Sequence, residues 1–288
     1  MPTNLLEIFV YYVMPLVILS IGMPANIFGL IVLRDKKKLK SIGPLFMYRL
    51  MFIMDAGFLS GILIYFMSKC FEITLYLASD LVCKLFFYYS YASKNLPPLV
   101  LVYIALDRFI SIKYYSKRFL LKKNTFQYLF IVLCVFFSFL YYIPVFFYYK
   151  LTDQSNSTSE CYLFGENSIS FIYMDMSFLV LIFFLIFFFT FLMIHAIFSS
   201  RRRVSAQFTQ RQNSNYIKDL RLTITSVIFN SFYVFLYLPI LFYNYLFPNI
   251  RDLVFYSSLY LFFISNIVNF FILYLTNSIF RKKVNSFF

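Results

Sequence analysis

The chain has 288 residues, of which 61% are hydrophobic and 13% charged, and its net charge is +14. So little polar side chain cannot cover a water-soluble domain, which excludes that class. The surplus positive charge lies between apolar runs and not on a separate basic domain, so a membrane reading precedes a nucleic-acid one and no nucleic-acid partner is expected.

A bilayer core about 30 Å thick is crossed by roughly 20 apolar residues in a helix, and several runs reach that length. Seven spans are expected in chain order, at about 8–33, 44–67, 82–112, 125–149, 168–198, 220–247 and 253–275. The fold class is thus an all-α membrane protein, one seven-helix domain over residues 1–288. The first segment has neither a charged leader nor a small-residue cleavage site, so it reads as a retained signal anchor. After the seventh, SIFRKKVNSFF (Ser278 to Phe288) sets Ile279 and Phe280 against Arg281, Lys282 and Lys283, the pattern of a short helix lying on the membrane surface among lipid head groups.

Lysine and arginine set the orientation. The segments 34–40, 113–123 and 201–221 and the tail 281–283 hold 5, 5, 6 and 3 basic residues, while the opposite side carries only Lys69, Lys84, Lys150 and Arg251. The basic loops therefore face the cytoplasm, with the amino terminus outside and the carboxyl terminus inside. Most acids, among them Glu72, Asp80, Asp153, Glu160 and Asp252, fall on the outer side, with Asp175 near the top of the fifth span. Such a face serves loop solubility or the attraction of a basic ligand.

The stretch LVLVYIALDRFISIKYY (Leu99 to Tyr115) ends a hydrophobic run on Asp107 and Arg108. Arg108 follows Cys83 by 25 residues, about 37 Å of helix, so the two mark opposite membrane faces. At the boundary a charge reaches water or a partner; at the bilayer centre it would cost roughly 2.5 to 3.5 kcal/mol or more.

These residues resemble the rhodopsin-like G-protein-coupled receptors. LDRFISI is similar to the family's Asp-Arg-Tyr motif with Phe109 in the aromatic place, and the spacing to Cys83 is the family's own. GMPANIFGLIVL puts Asn26 at the first-helix Asn, FIMDAGFL puts Asp55 at the second-helix Asp, and FLYLPI puts Pro239 at the sixth-helix Pro. In SNIVNFFILYLTNSIFRKK, Asn269 stands for the Asn of the seventh-helix Asn-Pro motif. The departures are specific. The chain has no Trp, so Cys134 and Tyr237 stand where two are usual, and Phe270 and Leu273 replace the seventh-helix Pro and Tyr.

The resemblance implies a plasma-membrane receptor that binds an extracellular ligand between its helices and activates a heterotrimeric G protein, without a cofactor. It implies that Asp107 orients Arg108, that Asp219 pairs with Arg108 at rest, and that Pro239 and Asn269 belong to the activation switch. It also implies a polar network of Asn26, Asp55, Asn266 and Asn269 that holds sodium, against a plain hydrogen-bonded carboxyl at Asp55. Lys94, about 16 Å below Cys83, either joins this network by pairing with Asp55 or faces upward to an anionic ligand group. Ser90, Tyr91, Lys94, Tyr237 and Tyr243 are expected around the ligand cavity. Ser90 replaces the Asp of amine receptors, so a peptide leads, with a lipid or other small chemosensory molecule as the alternative.

The resemblance pairs Cys83 with Cys161 in a disulfide; by count alone four cysteines leave three pairings, and Cys70 is the rival. Asn156-Ser157-Thr158 is a glycosylation sequon or an unused match. A transporter would show inverted repeats and several midplane charges, an opsin a seventh-span lysine, and an enzyme a nucleophile, base or metal constellation. None of these is read in the sequence.

Overall fold

In the computed structural model the described residues are 9–34, 45–71, 77–113, 124–152, 160–163, 167–207, 210–246 and 253–287. Among them seven helices are long and apolar enough to cross a membrane, and they form the expected bundle. A π-helical turn at Phe9–Val13 leads into α1 (Met14–Leu33), followed by α2 (Leu45–Phe71). The third span comprises α3 (Asp80–Lys94) and α4 (Leu96–Lys113). The fourth is α5 (Asn124–Tyr141), extended by the single turn α6 (Val145–Tyr148). The helices α7 (Asn167–Gln207), α8 (Gln210–Leu246) and α9 (Leu253–Thr276) complete the spans, and α10 (Ser278–Asn285) follows.

Hydrophobicity does not by itself separate the faces of these helices, since large apolar residues lie on both the packed and the exposed sides. In α1 the buried positions Ile18, Gly22, Ala25, Asn26, Gly29 and Val32 recur at helical spacing, while Val17, Ile21, Ile27 and Ile31 are exposed as a lipid-facing side would be. Gly29 is required by close approach: a Cβ there would lie 2.8 Å from the Phe52 ring of α2. The main core joins Val32 and Leu33 of α1, Met51 and Phe52 of α2, Leu101 to Ile104 of α4, Ile182 and Ile186 of α7, and Phe229 and Tyr233 of α8.

Three local features differ from the expected spans. The fourth span runs to Tyr148, close to the expected 149, but its continuous helix ends at Tyr141, because Pro144 has no N–H to continue the ladder and a turn precedes α6. Helices α7 and α8 run past the expected membrane edges, since no Gly or Pro interrupts the polar residues there. An antiparallel hairpin, β1 (Tyr149–Thr152) with β2 (Glu160–Leu163), is not anticipated in the sequence. It sets Leu151 opposite Cys161, and the Leu151 N–H donates to Asp80 Oδ1 at 2.9 Å, tying the hairpin to the start of α3. Cys83 and Cys161 form the disulfide, with Cα atoms 6.0 Å apart. Cys70 lies on α2 with its side chain outside the described residues, as is Asn156.

At the other end, Asn277 caps α10 by accepting from the Ile279 and Phe280 N–H groups at 3.1 and 3.0 Å. Phe280 and Val284 are buried against the bundle, while Arg281 and Lys282 are exposed.

Candidate functional site

The third span is interrupted by its own sequence. Pro97 and Pro98 cannot donate to the carbonyls four residues back, those of Ser93 and Lys94, and Asn95 becomes a turn residue with φ −93° and ψ −9°. Asn95 makes good part of the loss. Its backbone N–H turns to Ser93 O, and its Nδ2 donates to Tyr91 O at 3.2 Å, the acceptor its own backbone would otherwise use. The same Nδ2 donates to the Tyr142 hydroxyl at 2.6 Å.

From that point a polar chain crosses to the fifth span. The Tyr142 hydroxyl donates to Asp175 Oδ1 at 2.6 Å, and Lys94 Nζ donates to Asp175 Oδ2 at 2.6 Å. The Lys94 and Asp175 side chains are only 15% and 7% exposed, and the ammonium sits 4.5 Å from the centroid of the Tyr91 ring. One expected reading is thereby corrected: Lys94 pairs with Asp175, not with Asp55. Position along a helix fixes depth but not the neighbour faced, and the break at Asn95 separates the rotation of α3 from that of α4.

Beside this pair lies a cavity of about 570 Å³ in the hairpin half of the bundle, walled by α1, α2, α3, α7, α8 and α9. Ser90, Tyr91, Lys94 and Tyr237 all line it, whereas Tyr243, though buried, is not among its lining residues. The wall is built from aromatic side chains, including Phe58, Phe87, Phe171 and Tyr260, together with aliphatic ones such as Ile62, Leu179 and Ile240. Tyr237 packs edge-on against Phe262 at 4.7 Å, two residues before Pro239 within α8.

Deeper in the bundle, Asn26 Nδ2 donates to Gly22 O and Asn266 O at 3.0 and 3.1 Å, and Asn269 Nδ2 donates to Asp55 Oδ2 at 2.8 Å. These contacts join α1 to α9 and α2 to α9. Asp55 Oδ1 and Asn26 Oδ1 are buried oxygens without a hydrogen-bond partner among the described residues. Each therefore keeps acceptor capacity that the hydrogen bonds of the network do not use.

At the far end Asp107 and Arg108 are both buried, and Arg108 Nε donates to Asp107 Oδ2 at 2.9 Å, with Nη2 on the same oxygen. Asp219 belongs to α8, but its side chain lies outside the described residues. The residues not anticipated are Asn95, Tyr142 and Asp175. Asp175 carried a legible signal: it is an acid within an otherwise uncharged apolar span, where a partner is demanded.

Residues 25–279 match the profile of the 7 transmembrane receptor (rhodopsin family). The search of curated proteins returned no match. With the match spanning most of the chain and seven membrane-crossing helices in place, the protein is a multi-pass membrane receptor and belongs to the rhodopsin family of seven-transmembrane receptors.

Proposed function

We propose that the chain is a cell-surface receptor that takes an extracellular ligand into the cavity beside Lys94 and Asp175 and activates a heterotrimeric G protein at the end that carries Asp107 and Arg108. The observation that carries this reading is the placement of cavity and charged pair in opposite halves of one bundle. The cavity lies toward the disulfide-pinned hairpin, and Arg108 lies at the far end of the same span. The basic loops support an inward-facing Arg108 and an outward-facing hairpin. On this reading Asp107 holds the guanidinium, Asp219 is its partner at rest, and Pro239 and Asn269 lie on the path between cavity and coupling end.

Of the two ligand classes, the cavity favours a small molecule over a peptide. A volume of about 570 Å³ with mostly apolar walls, aromatic and aliphatic, suits a compact ligand of few polar groups. The test is a G-protein activation assay in cells expressing the receptor, run against a panel of small molecules and peptides. A dose-dependent response that vanishes on Arg108→Ala is the expected result. Solute transport by the purified protein in liposomes, with no G protein ever responding, would replace the receptor with a transporter.

A further inference from the structure

We infer that the Lys94–Asp175 pair is a charge filter, and that the cavity takes an uncharged, aryl-bearing small molecule while rejecting ligands with a single charge. This rests on the cavity being the ligand site. The pair is satisfied from within: Asp175 spends one oxygen on Lys94 and the other on Tyr142, and the Lys94 ammonium lies over the Tyr91 ring. Lys94 and Asp175 are the only charged side chains among the described lining residues.

An anionic ligand that reached for Lys94 would strand Asp175, and a cationic one that reached for Asp175 would strand Lys94, each a charge whose side chain is largely buried. Separating one partner from a buried pair costs enough to weaken binding about a hundredfold or more. An uncharged ligand leaves the pair intact. It gains instead from rings such as Phe87, Phe171 and Tyr260, with the Ser90 hydroxyl on the same wall to meet one polar atom.

The experiment uses the full-length receptor purified in detergent and a set of probes on one skeleton: 6-phenylhexan-1-ol, 6-phenylhexylamine and 6-phenylhexanoate, with phenylalanine as a zwitterion. Ligand-induced thermal shifts are titrated for each. The alcohol is expected to stabilise the wild type at concentrations at least about a hundredfold below the amine or the acid. Asp175→Asn should admit the carboxylate and Lys94→Met the amine, inverting the order in opposite directions.

Equal or better stabilisation of the wild type by either singly charged probe overturns the filter. So does preference for phenylalanine, whose two charges would satisfy Lys94 and Asp175 together, or no shift with any probe. If a variant does not fold, the order of the probes on the wild type still decides. No G protein enters this measurement, so silence in the signalling assay with the expected probe order counts against the receptor reading alone, and the wrong order in a signalling receptor counts against the filter alone.

Discussion

Replacing Tyr142 by Phe removes one oxygen from the centre of the polar chain and tests how much that chain holds. The side chain is fully buried, and its hydroxyl both donates to Asp175 and accepts from Asn95, each at 2.6 Å. Loss of a hydrogen bond to a charged acceptor costs about 1.5 to 3 kcal/mol, and loss of the Asn95 contact adds about 1 kcal/mol, softened because Asn95 keeps Tyr91 O. A total near 3 kcal/mol corresponds to a fall in melting temperature of about 6 to 12 °C at roughly 2 to 4 °C per kcal/mol. Tyr88→Phe is the matched control. Among the described residues its hydroxyl donates to the Phe139 carbonyl alone, at 2.9 Å, so the loss should be about 1 kcal/mol, or 2 to 4 °C. The assay is thermal denaturation of receptor in detergent followed by size-exclusion chromatography, for both variants alone and in an Asp175→Asn background. With the charged acceptor gone, Tyr142→Phe should cost at least about 1 kcal/mol less than it does in the wild type. Equal shifts for Tyr142→Phe and Tyr88→Phe, together with no coupling to Asp175, would refute the account of the cluster.

The disulfide closes a separation of 78 residues, so Cys83→Ser or Cys161→Ser should remove about 4 kcal/mol and lower surface expression; peptide mapping that joined Cys161 to Cys70 instead would contradict the pairing. Gly29→Val forces atoms into the Phe52 ring and should destabilise the receptor by about 1 to 3 kcal/mol, with Phe52→Leu restoring part of the loss; full stability in the single variant would show that α1 and α2 yield freely. Arg108→Ala should abolish coupling while leaving ligand affinity measurable by direct binding. Asp219→Ala should raise ligand-free signalling, about fivefold in the active-to-inactive ratio for each 1 kcal/mol lost, and unchanged basal activity in a well-expressed variant would remove Asp219 from that role.

The spans were legible because they follow from length and composition, which survive any detail of packing, whereas the pairing of Cys83 with Cys161 was legible only through the family resemblance, since the count of cysteines left three pairings open. Lys94 shows where that reasoning stops. Its depth follows from counting residues below Cys83, but its partner depends on the facing of α3 above the break and on the rotation of α7, which no local pattern encodes. Asp175 was visible as an acid among apolar residues, yet only the fold brings it to Lys94. Tyr142 and Asn95 were less legible still, since Tyr is abundant in this chain, with 26 copies, and an Asn two residues before a pair of prolines reads as part of a break and not as a bridge. The hairpin was masked by the same abundance of apolar residues, which made Tyr149 look like the end of a span.

The interruption at Asn95 makes the third span two rods on a common bearing. An unbroken helix resists bending because each degree stretches hydrogen bonds on one side, but here the two prolines have already removed those of Ser93 and Lys94. The upper rod is fastened above by Cys83, and the lower rod carries Arg108 in its last two turns. The bearing is seated on the fourth span, where Tyr142 receives Asn95 and Ser138 donates to Ala92 O at 2.8 Å. Bending at the middle of this span therefore disturbs fewer backbone hydrogen bonds than bending an unbroken helix would.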